Sequence, residues 1–341
     1  MAKFISTPKL STYLQADISD RLSVRPGETK LGECIKILTN TEELNSASVD
    51  FVLLGLPEDI GIRANFGIGG AYTTWEQALK AFLNIQSTTK LNGAEVGLLG
   101  YVNFEQEMTW ANSYDLKTPH GIKQIRALVS KIDTVIADIL FQIFQSNKIP
   151  ILIGGGHNNC YPILKALAKH HKQAVSTINI DAHADFRPME GRHSGNGFKY
   201  AMHEGYLSHY AVIGLHQNYN AQPMLNELEA KPEQIFYTFL EDYIHNTASC
   251  EHDFIKAQQF TKSICGLELD LDCIAGILSS AGSLTGFSVN QVRQMIALTQ
   301  YKKIAYLHIT EGVYKMNDGR EEAGIGKLIA TFITDFIKAQ V

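Results

Sequence analysis

No window of this chain approaches the ~20 uninterrupted apolar residues that a membrane span needs, so no membrane association is expected. Cysteine is scarce, five in 341 residues. Cys34, Cys160, Cys250, Cys265 and Cys273 are an odd count without close pairing, which argues against a disulfide scaffold and for reduced thiols in a cytoplasmic setting. Positive charge is not in excess: 30 Lys and Arg against 35 Asp and Glu leave a net charge of −5. Nucleic acid as a partner therefore has no electrostatic footing. Proline numbers nine, and no Pro- or Ser-rich linker, low-complexity tract or internal repeat divides the chain. Its start, Met1-Ala2-Lys3-Phe4-Ile5, lacks the apolar core of a signal peptide.

What the chain does hold is alternation of two kinds of segment. Strand-like apolar runs occupy 49–56, 96–99, Ile149–Ile153, Val175–Ile180, 210–215, 234–239, 263–271 and 303–309. Stretches of helical period lie between most of them, at 73–83, 122–146, 159–171 and 289–299, with a last one at 321–339. Alternating β and α segments predict an α/β fold, a parallel sheet with helices on both faces. Residues 1–48 read as an N-terminal arm packed on a single domain of residues 49–341.

Three of the runs end in ionisable residues. Val175–Ile180 leads into Asp181-Ala182-His183-Ala184-Asp185, the run at 263–271 carries Asp270-Leu271-Asp272, and Ile149–Ile153 empties into Gly154-Gly155-Gly156-His157. Residues at i, i+2 and i+4 of an extended segment share a side, so these strand ends can gather two imidazoles and four carboxylates. That set suits paired divalent cations better than one tetrahedral zinc. Ligands of open parallel sheets collect at the carboxyl ends of strands, where all six residues fall. Each motif has a blander reading: a Gly-rich turn, solvated or helix-capping acids, or an edge strand with an acidic face. Glu268 and Asp270 are spaced like Asp270 and Asp272, so the residues alone leave that register open.

The three motifs in this order and spacing resemble the ureohydrolase superfamily of arginases, agmatinases and formimidoylglutamases, over roughly residues 50–340. The resemblance implies a three-layer α/β/α fold around a mostly parallel eight-stranded sheet, and two manganese ions per subunit. It aligns Asp270-Leu271-Asp272 with the family's Asp-x-Asp, leaving Glu268 structural or behind the ligands. By the same resemblance His157, Asp181, Asp185 and Asp272 go to one metal, and His183, Asp181 and Asp270 to the other. Oxygen-rich ligation with two imidazoles also suits nickel or cobalt. The resemblance also implies catalytic roles for Asp185, which would carry a proton, and for Glu311, in His308-Ile309-Thr310-Glu311-Gly312, which would face the substrate. Family members form trimers or hexamers.

Within the superfamily the chain is closest to formimidoylglutamase. Gly55-Leu56-Pro57-Glu58-Asp59-Ile60-Gly61 resembles that branch, as does the triple glycine before His157. Phe198 stands where arginases carry a proton-shuttling histidine, in Ser194-Gly195-Asn196-Gly197-Phe198. The loop Gly67-Ile68-Gly69-Gly70 departs from the branch, which tends to place an arginine there. Ser194 and Asn196 suit an amino-acid carboxylate, and Arg187 or Arg192 a second one, although either arginine also reads as a surface ion pair. His193 reads as a local acid–base group or an exposed loop residue. The expected reaction is N-formimidoyl-L-glutamate plus water to L-glutamate and formamide, a step in histidine degradation. The alternative is a guanidino-compound hydrolase releasing urea. A metal-binding protein without turnover would have no need of the complete ligand set, and a nucleotide-binding fold lacks its G-x-G-x-x-G or lysine-bearing phosphate loop.

Overall fold

Runs such as Phe51–Gly55 show no polar alternation because both of their faces are buried. The computed structural model describes residues 9–262 and 264–341. The first eight residues of the expected arm and Ser263 of the seventh expected run lie outside the described residues. The strands are β1 (Lys9–Ser11), β2 (Lys36–Ile37), β3 (Phe51–Gly55), β4 (Val96–Asn103), β5 (Ile149–Ile153), β6 (Val175–Ile180), β7 (Leu207–Leu215), β8 (Ile235–Phe239), β9 (Cys265–Asp270) and β10 (Ile304–Thr310). They form one sheet in the order β1-β4-β3-β5-β10-β9-β6-β7-β8, with β2 also on β4. The eight expected runs are β3 to β10, all paired in parallel.

The sheet therefore has ten strands rather than eight. Both additions come from the N-terminal 48 residues and lie along the outer edge of β4, β1 antiparallel against Tyr101–Asn103 and β2 parallel against Gly97–Leu98. Tyr13 ties this segment to the domain. Its hydroxyl accepts from buried Trp75 Nε1 at 2.9 Å and donates to Glu76 at 2.7 Å.

Alternate residues of each strand serve two separate cores. Val52 and Leu54 face one of them, with the apolar stripe Ile125, Leu128, Ile132 and Ile136 of helix Pro119–Gln145. Phe51 and Leu53 face the other, with helices Thr74–Leu83 and Ile325–Gln340. The result is a three-layer α/β/α arrangement. Helix Pro119–Gln145 starts where it does because Thr118 accepts the Gly121 N–H and a proline occupies its first position.

Candidate metal centre

Four strands adjacent in space, β5, β10, β9 and β6, end together at one edge of the sheet. Thr310 pairs with Asp270, and Ile180 with Leu269, so Asp181 and Asp270 emerge level with each other. After β5, Gly154 (φ 91°) and Gly155 (φ 76°) turn the chain through conformations that side chains resist. Buried Glu58 then holds that turn, its Oε1 accepting from Gly156 N (3.1 Å), Asn158 Nδ2 (3.2 Å) and Asn159 Nδ2 (2.9 Å). His157 follows, its backbone N–H donating to Glu311 at 2.9 Å.

The D-x-H and D-x-D spacings share one local device. Asp181 Oδ1 accepts the His183 N–H at 2.7 Å, and Asp270 Oδ1 accepts the Asp272 N–H at 2.9 Å. Each bond folds the chain at the strand end and turns Oδ2 of the first aspartate toward the others. As a result His157 Nδ1 lies 3.0 Å from Asp185, 3.1 Å from Asp270 and 3.2 Å from Asp181. His183 Nδ1 lies 3.1 Å from Asp272 and 3.8 Å from Asp181. Two groups of candidate ligands thus share Asp181: one with His157, Asp185 and Asp270, the other with His183 and Asp272.

This grouping differs from the expected one, which placed Asp272 with His157 and Asp270 with His183. The cause is local. Extended backbone stops at Asp270, and Leu271–Cys273 is a 3-10 turn, so Asp272 swings to the His183 side instead of continuing the alternation.

So many acids together are electrostatically costly. Burial first, then neighbouring carboxylates, push Asp181 up to about 6 and Glu311 up to about 8, and raise Asp270 as well. Asp272 Oδ1 is buried without a hydrogen-bond partner. Asp185 (φ 47°) and Glu311 (φ 63°) both sit in the left-handed region, a strain that packing must offset and that gathers at functional sites. The donor set fits divalent cations: oxygen-rich, with two imidazoles, and relieved of repulsion by positive charge.

The cluster opens on a cavity of about 260 Å³ whose lining includes Asn65, Arg187, Ser194, Tyr219 and Glu311. Among its described lining residues Arg187 is the one arginine or lysine. Larger clefts, of about 760 and 610 Å³, lie away from the acids. Two residues expected to bind substrate do not line the site cavity. Arg192 is buried, donating to Asp133 (3.0 Å), Asn196 Oδ1 (2.7 Å) and the Asn158 carbonyl (2.8 Å). Asn196 is occupied in turn by Arg192 and the His193 N–H. Both residues brace the loop from within. His193 is buried rather than exposed, its Nδ1 accepting from Gly195 N at 3.1 Å. Phe198 packs edge-on against His157 at 5.1 Å and stacks on Tyr210 at 4.4 Å.

Sequence reasoning did not single out Tyr219, stacked between His183 and His216 at 5.8 and 4.9 Å. Nor did it assign work to Asn220, which accepts from Ala184 N and donates to the Ala182 carbonyl, each at 3.0 Å. Neither residue belongs to a motif, so no signal pointed to them. Glu58 belongs to the Gly55–Gly61 motif, but its bonds to Gly156, Asn158 and Asn159 cross 98 or more residues of chain.

The chain is similar in sequence and in fold to known proteins. A curated formimidoylglutamase of Macrococcus caseolyticus is 31% identical over 199 residues, covering 57% of this chain and 62% of that protein. One of Hahella chejuensis is 28% identical over 200 residues, covering 56% and 53%. The matched stretch therefore spans little more than half the length of these relatives. A crystal structure of Trypanosoma cruzi formiminoglutamase with manganese superposes with a TM-score of 0.69 at 16% identity, covering 92% of this chain and 98% of that one. The arginase family matches residues 49–312. With that stretch taking in most of the chain and all six clustered groups, the chain belongs to the arginase family.

Proposed function

We propose that the chain is a dimetal hydrolase of linear amidines, converting N-formimidoyl-L-glutamate and water to L-glutamate and formamide. The observation that carries this reading is the paired ligand cluster opening on a small cavity with Arg187 in its wall. The formimidoylglutamases among the relatives support the choice of substrate. His157, Asp181, Asp185 and Asp270 would hold one cation, and Asp181, His183 and Asp272 the other. Manganese is the metal we assign, as in the Trypanosoma cruzi structure. Bound there, the cations supply Lewis acidity at neutral pH.

The protein's own groups do the rest. Glu311, fixed by the His157 N–H, presents its free oxygen to an amidinium N–H. Asp185 takes a proton from the attacking water and delivers it to the glutamate nitrogen as the amidine C–N bond breaks. Arg187 pairs with a substrate carboxylate, and Ser194, bonded to Asn65 at 3.3 Å, supplies a hydroxyl beside it. Phe198 has no ionisable proton, so the shuttle of arginases has no counterpart at that position. The same reading places the enzyme in the cytoplasm as a homo-oligomer, trimer or hexamer.

The deciding experiment incubates purified, manganese-loaded protein with N-formimidoyl-L-glutamate or arginine and identifies products by mass spectrometry. Formamide and glutamate in equal amounts are expected. Urea from arginine, with no formamide from the first substrate, would overturn the assignment.

A further inference from the structure

Behind the His157 ring, away from the acids, lies a second buried polar group. Glu268 on β9 is fully buried and accepts the Tyr306 hydroxyl on Oε1 at 2.7 Å. Its Oε2 lies 2.5 Å from His308 Nδ1 and 3.5 Å from His157 Nε2. The Tyr306 hydroxyl continues to Thr177 at 3.2 Å. His157 Nε2 is buried and makes no hydrogen bond, although Nδ1 of the same ring faces three carboxylates.

A neutral imidazole has one proton and one lone pair. If Nδ1 is to offer its lone pair to a cation held with Asp181, Asp185 and Asp270, the proton must sit on Nε2. The acceptor facing Nε2 is Glu268, and a small tilt of the ring closes the 3.5 Å to a hydrogen bond. A cation between Glu268 and His308 is a poor alternative. With bonds of about 2.0–2.2 Å, ligand atoms only 2.5 Å apart would be far inside tetrahedral spacing.

We propose that Glu268 is a positioning residue whose carboxylate takes the His157 Nε2–H, fixing the tautomer that leaves Nδ1 open to a divalent cation. Tyr306 and His308 hold the carboxylate in place for this. The inference rests on the reading of His157 as a ligand. Carboxylate–histidine–metal arrangements of this kind change metal affinity 10- to 100-fold when the carboxylate is lost.

The test measures manganese binding by titration calorimetry on the wild type, Glu268→Ala and Glu268→Gln. Nitrogen-15 spectra of histidine-labelled wild type, loaded with diamagnetic zinc, report the His157 tautomer without any variant. Expected are about 10- to 100-fold weaker manganese binding in Glu268→Ala, partial recovery in Glu268→Gln, and a proton on Nε2. Unchanged affinity in both variants, a proton on Nδ1, or a third ion per subunit would overturn the inference while leaving the dimetal reading intact. Absence of manganese binding by the wild type would overturn both.

Discussion

Arg187 and Arg192 show how little residue type alone decides. Arg187 lines the site cavity, whereas Arg192 is spent on Asp133. Asp133 lies on a helix 59 residues away in sequence, so no local pattern announces the pairing. The six clustered groups were legible because their spacing is itself the mechanism that turns them inward. Replacing Arg187 by alanine should raise KM for the dicarboxylate substrate about 10- to 100-fold, from a charged hydrogen bond of ~1.5–3 kcal/mol, with kcat little changed. Steady-state kinetics decide this, and an unaltered KM removes Arg187 from the substrate site. His193 gives a different test. Burial, then Arg126, Arg187 and Arg192, hold its pKa down at about 3, against an ordinary 6.5. The unfolded chain thus binds a proton here that the folded one refuses. The resulting stability is complete above about pH 6.5 and lost as pH falls toward 3. His193→Asn, which can still accept the Gly195 N–H, should flatten the decline of the urea midpoint between about pH 6.5 and 4. Parallel declines in the two proteins would refute the assignment.

Among the elements, the long helices and the buried strands were legible because each repeats its pattern over at least five residues. The two N-terminal strands, of three and two residues, are too short to show any period. Their existence depends on the open edge of β4, which a one-dimensional reading cannot see. The seventh expected run extends past Asp270 because Leu271 and Asp272 keep up the alternation of residue types after the backbone has left it. Docking of the N-terminal segment is testable at Tyr13. Tyr13→Phe strips the buried Trp75 Nε1 of its acceptor, which should cost about 1–3 kcal/mol. A shift of the urea midpoint with an unchanged slope is expected. If the midpoint stays put, Tyr13 does not anchor the segment.

Taken whole, the molecule gathers its candidate ligands and Glu311 at the ends of four central strands, and ions bound to the folded form alone must stabilise it. Manganese at about 100 times its dissociation constant should add about 2.7 kcal/mol per independent site, and a chelator should reverse the gain. Calorimetric scans with and without manganese check this, and coincident melting curves would deny that the acids hold an ion. The order of the sheet adds a consequence for assembly. β10 follows every other strand in sequence yet lies between β5 and β9. Until residues 304–310 slot into that seam, β4, β3 and β5 form one slab, while β9, β6, β7 and β8 form another. His157 then belongs to the first slab and all four aspartates to the second. Cation capture thereby requires that insertion, and a chain halted before that strand would own every ligand without being able to close them around a metal.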